Sequence, residues 1–322
     1  MADYKEIKGF KIQNVSSDPS NLTGGQIWYN STTATLKGYS KAAGIPAGVW
    51  SAGNDMNSGR NRGADFGSLT AGVAAGGEGP QPTYVEEYNG TSWTEVTDLP
   101  VNGGGGGATG TQTAGIIYGY EPSTWTDAMT YDGTTWTEVS NINTGRYLGG
   151  SAGGFQTSAM YAGGGAYLAN TEIWNGTSWT EVADMVDGRN HIQAGGTVTA
   201  AVIAGGYGGG PPDTNPTQSE QWNGTSWTEG NNLNNGRAFL TGGGNAFTSV
   251  MLFGGGPPLT TNTEWWNGTS WTEMNNLATA SETSHGTSQS TGVGTYRART
   301  PGNAGETEEW TVDAATVTVT AS

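Results

Sequence analysis

Apolar runs in this chain are short, and most of them end in glycine. "VAAGG" (73–77), "IIYGY" (116–120), "AMYAGGG" (159–165), "VIAGGYGGG" (202–210) and "MLFGGG" (251–256) recur along it, and none exceeds nine residues. Runs of this length, rich in branched and aromatic side chains and bounded by Gly, Asn and Pro, predict buried strands rather than helices. Each is followed by a variable loop and an alternating segment that closes on an aromatic: Tyr88, Tyr131, Trp174, Trp222, Trp266 and Trp310. The intervals between these aromatics are 43, 43, 48, 44 and 44 residues.

After the aromatic comes a repeated phrase. "YNGTSWTEV" (88–96) returns as "YDGTTWTEV" (131–139), "WNGTSWTEV" (174–182), "WNGTSWTEG" (222–230) and "WNGTSWTEM" (266–274). Asn-Gly-Thr reads as a glycosylation acceptor, but Asp132 replaces the asparagine in the second copy and would abolish it. Asn-Gly and Asp-Gly share a tolerance of positive φ, so the pattern predicts a two-residue type I′ hairpin turn. "MADYKEIKGF" has no apolar core of a secretory signal, so no signal peptide is expected. A third mark, "GR", opens the unit at Arg60, Arg146, Arg189 and Arg237. One unit therefore holds four strands in about 44 residues, the size of a propeller blade.

The order Arg, Gly-Gly, aromatic, Trp over residues 50–310 resembles the kelch repeat. Its matching residues in the third unit are Arg146, Gly163, Gly164, Trp174 and Trp179. The patterning gives an all-β fold, the resemblance implies a kelch-like β-propeller, and counting the tryptophan strands gives six blades, closed by an N-terminal strand. "VWSAGNDMNSGR" (49–60) aligns with "SWTEVADMVDGR" (178–189), which places Trp50 where the sixth blade lacks its tryptophan. In the alternative, the C-terminal "ATVTVT" completes that blade and Trp50 pairs elsewhere. The expected domains are an extended attachment arm with a β-hairpin over 1–49 and the propeller over 50–322.

Composition narrows the class further. The chain has 56 Gly, 13 Trp and 13 Tyr but no Cys, which excludes disulfides, thiolate metal sites and Cys nucleophiles. No run approaches the roughly 18 apolar residues of a membrane helix. All five lysines (Lys5, Lys8, Lys11, Lys37, Lys41) face three acids (Asp3, Glu6, Asp18) in residues 1–49, a net +2. The remainder carries seven Arg against 25 acids, a net −18. Such an acidic body repels phosphate backbones and anionic lipid, so neither nucleic acid nor membrane is an expected partner.

Catalytic readings find little to stand on. A kelch-type copper oxidase needs a Cys–Tyr crosslink and histidine ligands, while His191 and His285 are the only histidines. Both are expected to fill strand positions. "TYDGTTW" (130–136) resembles a sialidase Asp box with one residue too few. The repeated Glu95, Glu138, Glu181, Glu229 and Glu273 of "WTE" are expected to be solvated. The opening arginines could ring a channel for an anion, but they are missing in two units; hydrogen bonds from each to carbonyl oxygens of a neighbouring blade fit better. No catalytic, metal or cofactor-binding residues are expected, no cofactor is required, and the chain is read as non-enzymatic.

Within the arm, "GGQIWYNSTTATLKGY" (24–39) alternates like a hairpin. It resembles a short module at the N-terminal ends of bacteriophage virion proteins, especially fibres of marine phages, whose blades the "WNGTSWTEVADM" wording also resembles. The resemblance implies a virion structural protein made in the host cytoplasm and carried in the particle. Its arm, through Tyr4, Phe10, Ile12, Trp28 and Tyr29, would dock on a capsid or tail protein, in multiple copies or as a homo-oligomer. Its propeller would face outward, as in host attachment. Binding would use the variable loops after Gly-Gly, with Tyr84, Trp125, Tyr167 and Tyr207 as contact residues. The alternative is a glycan-binding lectin propeller independent of any particle.

Overall fold

The computed structural model describes residues 12–19, 27–39, 48–79, 81–120, 125–208, 217–282, 285–290, 293–297, 305–312 and 316–318. Among them every regular element is a β-strand. The chain divides into two units, one of residues 47–311 and one of residues 1–46 with 312–322. The C-terminal segment, expected in the propeller, thus groups with the arm. Its strand Thr316–Thr318 pairs antiparallel with Thr35–Tyr39, with Tyr39 opposite Thr316.

Among the described residues the larger unit contains six four-stranded sheets, built on the repeat. In the first, Ala64–Ser68, Ala71–Ala75, Val85–Tyr88 and Trp93–Glu95 follow one another as antiparallel neighbours. The next four repeat this order, starting from Gly107–Thr111, Gly150–Phe155, Gln193–Thr197 and Thr241–Ala246. The sixth takes three strands from the C-terminal end, His285–Ser290, Val293–Arg297 and Thr307–Val312, and its fourth from Gly48–Ala52. First strands of successive sheets touch, and the last of them touches the first. The indole N–H of Trp93, in the first sheet, donates to Thr307 Oγ1 of the sixth at 3.1 Å.

The closing aromatics form the core between sheets. Tyr88, Tyr131, Trp174, Trp222, Trp266 and Trp310 are all buried. Trp50 lies 4.8 Å from Phe253 and 5.4 Å from Trp310, both edge-on. Gly48 is required beneath Trp310, because a Cβ there would stand 2.3 Å from the indole.

The turn after each aromatic differs from the expected type I′. Tyr88 lies opposite Trp93, and Trp174 opposite Trp179, so four residues form the loop. Asn89 Oδ1 accepts the N–H groups of Thr91 and Ser92, each at 2.9 Å. This is an Asx turn, in which the side chain does the folding. Only the glycine takes positive φ, from 87° at Gly90 to 94° at Gly133. Asp132 makes the same two bonds at 2.9 and 2.7 Å and adds the hydroxyls of Thr134 and Thr135. Those donors, Thr135 N–H foremost, hold its carboxyl far below the usual range. The interchange of Asn and Asp therefore preserves an oxygen acceptor, not a backbone angle.

The opening arginines are buried, and their partners lie in their own sheet rather than a neighbour. Arg60 pairs with Glu86, Arg146 with Glu172, Arg189 with Glu220 and Arg237 with Glu264, at 2.8, 3.1, 2.7 and 2.6 Å. Each guanidinium also donates to backbone carbonyls, as Arg146 does to Tyr161 O at 3.0 Å. The carboxylates collect further donors from the incoming crossover: Glu172 accepts Asn143 N–H, Asn143 Nδ2 and Thr144 N–H. The pair therefore fastens the crossover to the third strand of the sheet it enters. The glutamates of "WTE" are exposed, as expected from their place on outer strands.

The smaller unit is a four-stranded sheet in the order Gln13–Val15, Ile27–Asn30, Thr35–Tyr39, Thr316–Thr318, with the first pair parallel. Asp18 organises it, accepting Trp28 Nε1 at 3.0 Å and Asn30 Nδ2 at 2.8 Å and pairing with Lys37 at 2.6 Å. These bonds, Lys37 first and then Asn30 and Trp28, lower its carboxyl pKa to about 2. A depressed carboxylate contributes stability above its ordinary value of about 3.9 that is lost as pH falls through the folded value. The Trp28 indole N–H resonance is expected to titrate with a midpoint near 2. A midpoint at the ordinary value of about 4 would show that this hub does not form.

Candidate functional site

The end of the larger unit that carries the incoming crossovers is hollow. A cavity of about 110 Å³ opens there, lined by the starts of the first strands and the residues just before them. Asp65, Ser151, Gln193 and Thr241 form its polar lining. A second cavity of about 60 Å³ shares Asp65, Ser151 and Gln193 with it.

The rim is set by the position two residues after each opening arginine: Arg62, Leu148, His191 and Phe239, with φ of 54°, 57°, 53° and 56°. Gly105 holds this place in the second unit, at φ 72°. Left-handed backbone costs a non-glycine residue about 1–2 kcal/mol. A chain of backbone hydrogen bonds offsets it. Gly105 N–H donates to Arg62 O at 2.6 Å, Leu148 N–H to Gly105 O at 2.7 Å, His191 N–H to Leu148 O at 2.8 Å and Phe239 N–H to His191 O at 3.1 Å. The second to fifth sheets are thus each tied to the preceding one at the rim, and the rim residues line the opening.

Two aromatic groups stand at this rim. His191, Phe239 and Tyr207 meet edge-on, with centroids 4.1 to 5.5 Å apart. Tyr207 arrives because Tyr207–Gly208 pairs antiparallel with Arg189–Asn190. Trp125 stacks on Tyr147 at 4.4 Å, and both lie over Gly105, whose missing Cβ would be 3.5 Å from Tyr147 and 3.6 Å from Trp125. Burial, and then the charge of Arg62, pull the His191 pKa down to about 4, so its ring is neutral at pH 7. Its Nδ1 is 2.8 Å from Asn190 Oδ1. Arg62 is engaged by Glu78 at 2.6 Å, in a pair exposed enough to add little stability.

The structure brings some of the sequence-predicted loop residues together and leaves others apart. Tyr207 packs on the rim residues His191 and Phe239, and Trp125 lies over Gly105, but neither they nor half-buried Tyr84 and Tyr167 are among the cavity's lining residues. Of the two histidines, His285 does open a strand, His285–Ser290, but His191 does not fill a strand position: it lies in the turn ahead of Gln193–Thr197. The rim residues Arg62, Leu148 and Phe239 and the lining Asp65 were not anticipated. Their one signal was a fixed offset from arginine, which varies too much in residue type to read as a motif. In the arm, Ile12 and Tyr29 are exposed, at 52% and 36%, but Trp28 is fully buried against Asp18 and presents no docking surface. Tyr4 and Phe10 lie outside the described residues. Among the described residues no cluster of three or more His, Asp or Glu could hold a metal ion.

No protein-family model matches the chain, and no curated protein matches it. The functional reading therefore stands on the residues.

Proposed function

We propose that this chain is a non-enzymatic structural protein of a phage particle. The smaller unit attaches it to another virion protein, in multiple copies, and the larger unit is displayed for host attachment. The larger unit is read as a closed six-bladed β-propeller of kelch type, with Gly48–Ala52 completing the sixth blade. Supporting that reading, the first strands touch in a cycle and Trp93 bonds to Thr307 between the first and last sheets. The observation that carries the display function is a division of roles. The buried Arg–Glu pairs, found in four of the six sheets among the described residues, are used up in fastening crossovers, while the side chains that vary from unit to unit gather at one end.

Full-length protein and an Ile27→Asp/Tyr29→Asp variant, both altered positions being exposed, would be added to particles assembled without this chain and imaged by cryo-EM. Decoration at one symmetric site by the unaltered chain, lost in the variant, is expected. Absence of decoration by the unaltered chain would overturn attachment and favour a glycan-binding propeller that acts without a particle.

A further inference from the structure

We propose that the cavity mouth ringed by Arg62, Leu148, His191 and Phe239 binds one neutral sugar residue, at the end of a host-surface glycan. The inference rests on the host-attachment reading and gives it a site and a ligand class.

Size comes first. At about 110 Å³ the cavity holds the equivalent of about three or four waters, enough for one edge of a single ring and its hydroxyls. An oligosaccharide or an extended peptide would have to lie outside it. Such a fit calls for a terminal residue, approached end-on.

The chemistry of the wall comes next. Asp65 brings a carboxylate, Ser151 and Thr241 bring hydroxyls, and Gln193 brings an amide whose N–H already donates to Gly242 O, all around one small space; these are group types that exchange hydrogen bonds with a polyol. Beside them at the mouth, His191 and Phe239 bring aromatic surface, with Tyr207 packed edge-on against both, while the Trp125–Tyr147 stack lies over Gly105 outside the lining.

Charge then selects among polar ligands. An anionic sugar would meet the Asp65 carboxylate and a chain of net charge −16, and the nearest cation, Arg62, is already held by Glu78. A cationic sugar would have to pass the Arg62 guanidinium at the rim. A neutral ring meets neither penalty.

Rim construction agrees with a recognition role. Glycine would adopt the left-handed backbone at no steric cost, as Gly105 does, yet the other described rim positions carry four different large side chains. The hydrogen-bond chain needs only their backbone, so their bulk serves the opening rather than the scaffold.

The test uses the full-length chain and the ring resonances of His191, one of only two histidines. Methyl glucoside, methyl galactoside, methyl mannoside and N-acetylglucosamine would be titrated in, alongside glucuronate and glucosamine. At least one neutral sugar is expected to shift the His191 signals saturably, with the charged sugars weaker. Tyr207→Ala and Asp65→Asn should each weaken that binding about tenfold or more, as loss of a central contact does, while Ile12→Ala in the arm should not. Retained spectra elsewhere would show that the variants fold. Failure of every neutral sugar to shift His191, tighter binding of a charged sugar, or unchanged binding in both cavity variants would overturn the proposal. Particle decoration is scored separately, so either result can fail while the other holds.

Discussion

Glu172→Met is expected to destabilise the protein by about 3–5 kcal/mol, and adding Arg146→Met should recover a large part of that loss. Both side chains are fully buried, and their closest approach is 3.1 Å. Removing the carboxylate alone leaves a guanidinium in a dry interior with the carbonyls of Thr144 and Tyr161 and the Tyr161 ring face but no counter-charge. Removing both ends converts the pair into apolar volume, which interiors tolerate well. Recovery should stay incomplete, because Asn143 and Thr144 lose the acceptor for their N–H groups. The second repeat is a natural precedent. It has Gly103 in place of the arginine and Met129 in place of the glutamate, and its crossover has become the glycine-rich "VNGGGG". A double-mutant cycle by guanidinium denaturation checks the prediction. A cost below about 1 kcal/mol for the single variant would mean that water reaches the pair, as in exposed ion pairs.

Trp310→Ala is expected to cost a similar amount, about 3–5 kcal/mol, as for other large buried aromatics. Its second effect should be particular to the sixth sheet. Trp310 packs directly on Gly48 and Trp50, so its removal loosens the one strand that comes from the far end of the chain. Holding that strand closes a loop of more than 200 residues, whose entropy grows only with the logarithm of length. A few contacts can therefore sustain it and a single cavity can release it. Amide exchange of Gly48–Ala52 should accelerate in Trp310→Ala more than in Trp222→Ala, whose sheet is continuous in sequence. Equal exchange in the two variants would show that Gly48–Ala52 is not held through Trp310.

Much of this architecture could be read from the chain, and the reasons are physical. Burial of a strand forces apolar runs of fixed length, and the aromatic that fills the space between sheets must recur with the sheet, so Tyr88 through Trp310 marked all six units. Four strands per unit followed, as did the place of Trp50 beside Trp310. The turn was misread because Asn-Gly serves two conformations, and only the register of Tyr88 against Trp93 separates them. The ion pairs were half-read. "GR" stood out as a mark, but its partner glutamate sits in "VEEY", "TEIW", "SEQW" and "TEWW", beside more conspicuous aromatics. The cavity was least legible. Asp65, Ser151, Gln193 and Thr241 share neither residue type nor exact offset, and only the closing-up of first strands brings them together. The strand Thr316–Thr318 was assigned to the wrong unit because "ATVTVT" alternates equally well for either sheet.

The backbone chain at the rim has a consequence for how such a molecule can change. Amide and carbonyl groups carry the link from Arg62 through Gly105, Leu148 and His191 to Phe239, so the identity of each side chain is released from the task of holding neighbours together. Any residue able to bear the left-handed backbone can stand there at a cost of about 1–2 kcal/mol relative to glycine. The mouth is in this sense a set of interchangeable sockets on a fixed frame. Its surface can be rewritten one repeat at a time, and randomising these positions together would yield a library of differently lined openings on one unchanged body.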